Sequence, residues 1–194
     1  MQHRIELTQP THSEWIKVVL QNFPSFLQDH ANCERKASAM AMSFVAKYPD
    51  RVKILDLLID TAIEEMVHFK QVYAIMQKQN IPLSHEIDED PYVNNLLKLC
   101  RTGREERFMD RLLLASIIET RGAERFKIVY ENLPKGELKD FYHTLWASEA
   151  RHGEIFIDMA LKYFDKQVVY KRTTELNRLE GEIVEKLPHR AAMH

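Results

Sequence analysis

Four long stretches of the sequence repeat their apolar residues with the 3.6-residue period of an α-helix. We predict long helices over about Pro24–Tyr48, Asp50–Gln79, Arg104–Asn132 and Lys135–Phe164. A shorter helix is predicted around Glu14–Asn22, and a more polar one over residues 168–187 closes the chain. Only five glycines and seven prolines interrupt the 194 residues, which favours helices over a sheet protein with many turns.

The connections between these helices are short, long and short. A helix of about 30 residues is about 45 Å long, and the link over residues 80–103 is long enough to return over that distance. Short links favour antiparallel neighbours. The predicted fold is therefore an all-α, ferritin-like four-helix bundle, made of two antiparallel hairpins joined by a long crossover. Additional N- and C-terminal helices complete a single domain over residues 1–194.

The net charge, the apolar runs and the cysteines of the chain limit which functions it can have. The formal net charge is -2, so a nucleic-acid partner would have to be met by a local basic patch. No apolar run approaches the roughly 20 residues that cross a bilayer, and the N-terminus lacks the apolar core of a signal peptide. We therefore expect a cytoplasmic protein without membrane contact. Cys33 and Cys100 form no C-x-x-C pair, so we expect free thiols rather than a zinc or rubredoxin-like site.

The motif Glu-x-x-His occurs on the second and the fourth long helix, as Glu65–His68 and Glu149–His152. This spacing places a carboxylate and an imidazole on one helix face. The motif is short, and chance alone produces about one copy in a chain of this composition. Taken alone, Glu149 and His152 are more typical of an ion pair or of surface residues than of a metal site.

A lone glutamate precedes each motif at nearly the same distance. Glu34 lies 31 residues before Glu65, and Glu119 lies 30 residues before Glu149. Antiparallel hairpins bring residues that are equidistant from a turn to one level, so we expect four carboxylates and two imidazoles in one buried layer. Two divalent ions would balance four carboxylates, and oxygen-rich ligands with one histidine per ion suit iron or manganese. The predicted metal ligands are Glu34, Glu65, His68, Glu119, Glu149 and His152.

Other polar and aromatic residues beside the ligands have plainer interpretations. His30 lies one turn before Glu34, and we interpret it, like His143, as an ordinary histidine. Tyr142 and Trp146 are expected in the core rather than as redox relays. The small residues near the ligands allow either a ligand pocket or close helix packing.

Four stretches, HANCERKAS, EEMVHF, AERF and SEARHG, resemble the tRNA 2-methylthio-N6-isopentenyladenosine hydroxylases over nearly the whole chain. The resemblance implies a ferritin-like non-haem di-iron monooxygenase that uses two iron ions, O2 and an external electron donor, such as a reductase or ferredoxin. It further implies hydroxylation of the isopentenyl side chain of a hypermodified adenosine beside the tRNA anticodon. The same six ligands carry over, and no separate catalytic base is assigned beyond them.

Binding of tRNA would require basic side chains. Four arginines recur every three or four residues where the third long helix begins: Arg101, Arg104, Arg107 and Arg111. Lys171, Arg172 and Arg178 form a second candidate group. Such groups contact phosphates in RNA-binding proteins, although a solvated helix face has the same pattern.

Two other functions share the ligand pattern. One is iron storage or oxidation of the ferritin type, which predicts a multimeric cage. The other is peroxide removal of the rubrerythrin or manganese catalase type. Neither accounts for the HANCERKAS stretch, so we favour the hydroxylase and expect a monomer or small homo-oligomer.

Overall fold

The computed structural model describes residues 5–85 and 90–194. Within these ranges the chain forms seven α-helices and no strand. They are α1 (Ser13–Gln21), α2 (Phe23–Lys47), α3 (Leu55–Lys78), α4 (Pro91–Leu97), α5 (Arg104–Asn132), α6 (Glu137–Leu161) and α7 (Lys166–Lys186). The predicted all-α class is confirmed. None of the helices in the described ranges is both long enough and apolar enough to cross a bilayer.

The predicted helix bounds hold closely for α2 and α5, but α3 begins five residues later than expected. Asp50 does not cap it, because residues after Tyr48 form turns in which Arg51 N donates to Tyr48 O and Ile54 N donates to Arg51 O. Gly136 sets the start of α6 with a φ of 150°, a backbone conformation that side chains disfavour. At its other end, α6 gives way to turns after Leu161.

The chain divides into two compact units, which we call the first and the second unit. The first contains the antiparallel α2–α3 hairpin together with the C-terminal segment His189–Met193. Its apolar seam buries Phe26, Phe44, Leu58 and Met76 completely. The apolar residues recur three or four apart on each helix, which is the pattern that lets a helix bury one face.

The second unit contains the α5–α6 hairpin, with α4 and α7 packed on it. It also includes the N-terminal segment that ends at Ile16. The side chains of Asp90 and Asp165 cap α4 and α7 by accepting hydrogen bonds from backbone N–H groups in the first turn. Short links within each hairpin hold its two long helices antiparallel, as the sequence predicts.

A buried ionic cluster ties α7 to α5 in the second unit. The guanidinium of Arg121 is fully buried and donates two hydrogen bonds to Glu180, at 2.8 and 2.9 Å. Tyr92 Oη donates to the same carboxylate at 3.0 Å. Burial, followed by the negative charge of Glu180, raises the pKa of Tyr92 well above its usual range. This cluster satisfies charges that would be costly to bury alone.

Candidate metal centre

The first unit contains one half of the predicted ligand set. Glu34 projects from α2, and Glu65 and His68 project from successive turns of α3. All three are buried, with 4%, 1% and 8% of their surfaces exposed. Each offers a ligand atom, and these atoms lie within 4.8 Å of one another. His68 Nδ1 is 3.4 Å from Glu65 Oε2 and 3.7 Å from Glu34 Oε2. We call this group the first half-site.

The second unit contains the other half. Glu119 projects from α5, and Glu149 and His152 project from α6. Their exposed fractions are 7%, 2% and 0%, and their ligand atoms again lie within 4.8 Å of one another. His152 Nδ1 is 3.1 Å from Glu149 Oε2. We call this group the second half-site. Each half-site therefore brings together, from two helices, the two carboxylates and one imidazole that the sequence predicts.

The spacing of these atoms fits ligands of a metal ion. Metal–nitrogen and metal–oxygen bonds of about 2.1 Å that meet at right angles separate the two ligand atoms by about 3 Å. The imidazole–carboxylate distances of 3.1 and 3.4 Å are close to that value. Buried carboxylates without a positive charge are unfavourable, and a cation held by each half-site removes this cost. The donor set therefore fits a divalent metal.

His30 supports the first half-site, a role that the sequence interpretation missed. Its ring is completely buried, and Nε2 lies 2.7 Å from Glu34 Oε1. A hydrogen bond to a carboxylate that also binds a metal fixes the orientation of that carboxylate. The signal was present in the sequence, because His30 precedes Glu34 by four residues and therefore lies on the same helix face. The interpretation of His30 as an ordinary histidine is therefore corrected by its buried contact with Glu34.

A serine joins the two helices of each half-site close to its ligands. Ser38, one turn after Glu34, donates to Ala62 O across the first hairpin at 2.8 Å. Ser116 on α5 donates to Gly153 O on α6 at 2.5 Å. At Gly153 a Cβ atom would lie 2.7 Å from Thr120 Oγ1, so a larger residue would require the Thr120 side chain to move. Ser38, Ser116 and Gly153 therefore serve close helix packing here.

The four candidate RNA-binding arginines have different environments. Arg101 precedes α5 and directs its guanidinium to the buried carboxylate of Asp110, with Nη2 2.7 Å from Oδ1. Arg104 and Arg107 are exposed and Arg111 is half-buried on α5. In the second group, Arg172 also binds Asp110, and Arg178 pairs with Glu182. Arg101 and Arg172 thus have a structural contact that the sequence interpretation did not include.

Tyr142 and Trp146, the two aromatic residues expected in the core, differ in how far they are buried. Tyr142 is fully buried against Phe126, with ring centroids 5.7 Å apart, as predicted. Trp146 is only half-buried. The prediction of Trp146 as a core residue was therefore wrong. Neither Cys33 nor Cys100 forms a disulfide bond with a described residue, as expected.

A family model and two curated proteins that are named for the same activity match this chain. The family model described as "tRNA-(MS[2]IO[6]A)-hydroxylase (MiaE)" matches residues 2–194. A curated tRNA 2-(methylsulfanyl)-N(6)-isopentenyladenosine(37) hydroxylase from Pseudomonas putida is 32% identical over 91% of this chain and 85% of its own length. One with the same name from Salmonella typhimurium is 27% identical over 90% of this chain and 82% of its own.

A solved structure is similar over almost the whole chain. It is named "Protein 43 with aldehyde deformylating oxygenase activity from Synechococcus", has a TM-score of 0.92 and is 29% identical. The match covers 98% of this chain and 96% of that one. With this likeness, the predicted ferritin-like fold class is confirmed.

Proposed function

We propose that this chain, which belongs to the tRNA-(MS[2]IO[6]A)-hydroxylase family, hydroxylates the isopentenyl side chain of 2-methylthio-N6-isopentenyladenosine in tRNA. The observation that carries the proposal is the pair of buried half-sites, each with two carboxylates and one imidazole. We infer the identity of the substrate from the two relatives that are named as hydroxylases of this nucleoside. The reaction consumes O2, two electrons and two protons, inserts one oxygen atom into a C–H bond, and releases the other as water.

We further propose that each half-site holds an iron ion, so that the chain binds two. Four carboxylates contribute four negative charges, which two divalent ions balance, and the histidines give one nitrogen to each ion. This donor set is the one found in di-iron and di-manganese carboxylate proteins. Bound iron supplies the redox chemistry that activates O2 toward an otherwise inert C–H bond. An external reductase or ferredoxin would supply the electrons.

The protein's own residues position the ions and exclude water. Glu34 takes its orientation from His30 at 2.7 Å. The Ser38 and Ser116 hydrogen bonds fix the separation of the two helices within each half-site. The ligand side chains are almost completely buried, so bulk water is kept from the reacting atoms. Positioning the ions and excluding water requires no further acid or base among the described residues near the ligands.

Iron storage and peroxide removal are the two alternative functions. They differ from tRNA hydroxylation in the assembly and the products that they predict. No relative reported above is named for either role. A storage protein would form a hollow cage, whereas we expect a monomer or small oligomer acting on tRNA in the cytoplasm. Native mass spectrometry measures this difference directly.

The decisive experiment is hydroxylation in vitro. Iron-loaded protein, a reductant, O2 and tRNA bearing the isopentenylated nucleoside are combined, and the digested nucleosides are analysed by mass spectrometry. We expect a gain of one oxygen atom that becomes ¹⁸O when ¹⁸O2 is used. No gain of oxygen by the iron-loaded wild-type chain would contradict the proposal.

A pair of variants on α6 tests the ligand assignment. Glu149→Ala should lose much of the bound iron and nearly all turnover, because it removes a buried carboxylate of the second half-site. Asp158→Ala, on the exposed face of the same helix, should retain both. Two iron ions per chain in the Glu149→Ala protein would refute the role of Glu149 while leaving the activity itself untouched.

A further inference from the structure

The second unit has a cavity of about 400 Å³ that is partly open to solvent. The seam between α5 and α6 forms its base, where Ala123 and Ala150 leave room, and the segment Ile5–Pro10 lines it as well. Trp146 and Lys127 also line the cavity. This volume is within the range of small-molecule and cofactor sites. We call it the Trp146 groove.

Aromatic rings continue from this groove along the surface of the hairpin. Trp146 and Tyr130 have near-parallel rings, 6.2 Å apart with an interplanar angle of 21°. The ring of His143 lies 4.9 Å from that of Tyr130. Lys127 Nζ lies 5.3 Å from the Trp146 centroid and Lys139 Nζ lies 4.9 Å from that of Tyr130. Trp146 and Tyr130 are half-buried, and proteins bind the bases of single-stranded nucleic acids by stacking them on aromatic rings beside basic groups.

The N-terminal segment beside the groove is held firmly against α5. Thr11 N and Thr11 Oγ1 donate to the two carboxylate oxygens of Glu124, at 3.0 and 2.7 Å. Arg121 Nη1 donates to Glu124 as well, and Arg121 Nη2 donates to Gln9 O at 2.7 Å. The groove is therefore formed before a ligand arrives, which lowers the entropic cost of binding.

The charges in the groove favour a base over a run of phosphates. Lys127 is its basic residue, and it pairs weakly with Glu131 at 3.9 Å. Three carboxylates line the same cavity, those of Glu6, Glu124 and Glu154, and Glu124 already accepts hydrogen bonds from Thr11 and Arg121. Carboxylates repel phosphates but accept hydrogen bonds from the N–H groups on the edges of bases.

We propose that the Trp146 groove binds an unpaired base of the substrate tRNA loop, stacked on Trp146. The proposal rests on the proposed function, because it takes the RNA substrate from there. Enzymes that modify a base act on unstacked nucleotides, and sequence-specific RNA recognition uses aromatic stacking of splayed bases. The groove is separate from the arginines at the start of α5, which sequence analysis singled out for phosphate contacts.

Binding of an anticodon stem-loop RNA, measured by fluorescence anisotropy, tests the groove. Trp146→Ala should bind about five- to a hundredfold more weakly, the range expected for the loss of one stacked base. Trp146→Phe should lose less than about threefold, because it retains an aromatic face. The control is Tyr73→Ala, since Tyr73 is also half-buried and stacks on Phe69 at 6.2 Å. This variant should bind like the wild-type chain.

A second measurement separates the loop from the stem. A duplex RNA of the same length without a loop should bind equally well to wild-type and Trp146→Ala proteins. Indole fluorescence should fall on adding the stem-loop to wild-type protein, and this change should vanish in Trp146→Phe. Equal stem-loop affinity of wild-type and Trp146→Ala proteins would overturn the proposal, as would an equal loss in Tyr73→Ala.

The same variants distinguish a wrong groove from a wrong function. If the wild-type chain hydroxylates tRNA and Trp146→Ala does so with unchanged KM and kcat, the groove is wrong and the proposed function stands. If stem-loop binding depends on Trp146 but no oxygen is ever added, the groove stands and the proposed function is wrong. A wild-type chain that does not bind the stem-loop overturns the groove outright.

Discussion

Replacing Asp110 by asparagine should destabilise the second unit, and the structure gives the size of the effect. The Asp110 side chain is completely buried and accepts five hydrogen bonds. Three come from Arg101, through its backbone N, Nε and Nη2, and two come from Arg172. These bonds join the segment before α5 to α7. An asparagine keeps the shape but loses one acceptor oxygen and the charge that the two guanidinium groups share.

Removing one partner of a buried ion pair costs about 3–5 kcal/mol. The Arg101 side chain is 38% exposed and the Arg172 side chain 11% exposed, so water compensates part of this loss, and we expect about 3 kcal/mol. With a urea dependence of about 2 kcal/mol per molar, the unfolding midpoint should fall by about 1–2 M at pH 7. Circular dichroism during urea titration measures this shift.

The difference between the two proteins should also depend on pH. Burial alone would raise the pKa of Asp110, but hydrogen bonds from Arg101 and Arg172 outweigh it and lower that pKa. A carboxyl group with a lowered folded-state pKa stabilises the protein above its unfolded-state pKa of about 3.9. The stability difference should therefore be constant above about pH 5 and shrink as the pH falls below about 4.

The control is a second acid-to-amide substitution, at Glu175, which is another partner of Arg172. Glu175 accepts a bond from Arg172 at 2.8 Å, but its side chain is 53% exposed. Surface ion pairs contribute little to stability, so Glu175→Gln should leave the midpoint almost unchanged. The reasoning would be refuted by an Asp110→Asn protein as stable as the wild type at pH 7. A destabilisation that persists undiminished in acid would refute it equally.

Two further variants test the half-sites. His30→Gln should weaken iron binding by about ten- to a hundredfold, because the partner that orients Glu34 is lost. Iron titration measures this affinity, with the exposed His143→Gln variant as the control. Equal iron affinities of His30→Gln and the wild type would contradict the prediction. Gly153→Ala should cost about 1–3 kcal/mol in thermal unfolding, because the new Cβ meets Thr120 Oγ1. Adding Thr120→Ala should restore part of that loss, and no recovery would show that the clash lies elsewhere.

Helix positions and the clustering of the six candidate ligands were predictable because both follow regular spacings in the sequence. The apolar period located α5 to the residue, and the repeated spacing of a lone Glu and a Glu-x-x-His identified both half-sites. Contacts between residues far apart in sequence were not predictable in this way. Arg101 and Arg172 looked like candidates for RNA phosphates, yet both bind Asp110. A list of positive charges does not show which of them a buried carboxylate already uses.

The internal repeat of the ligands conceals a difference between the two half-sites. Four residues before Glu34 stands His30, which is hydrogen-bonded to it, whereas four residues before Glu119 stands Ala115, which offers no polar side chain. The repeat fixes which groups can hold metal, because ligand number and type are shared. The contact from the position four residues earlier is not shared, so we expect the two half-sites to respond differently to substitution at that position. Spacing alone predicts the same surroundings for Glu34 and Glu119, and the buried His30–Glu34 contact shows that this part of the repeat does not carry over.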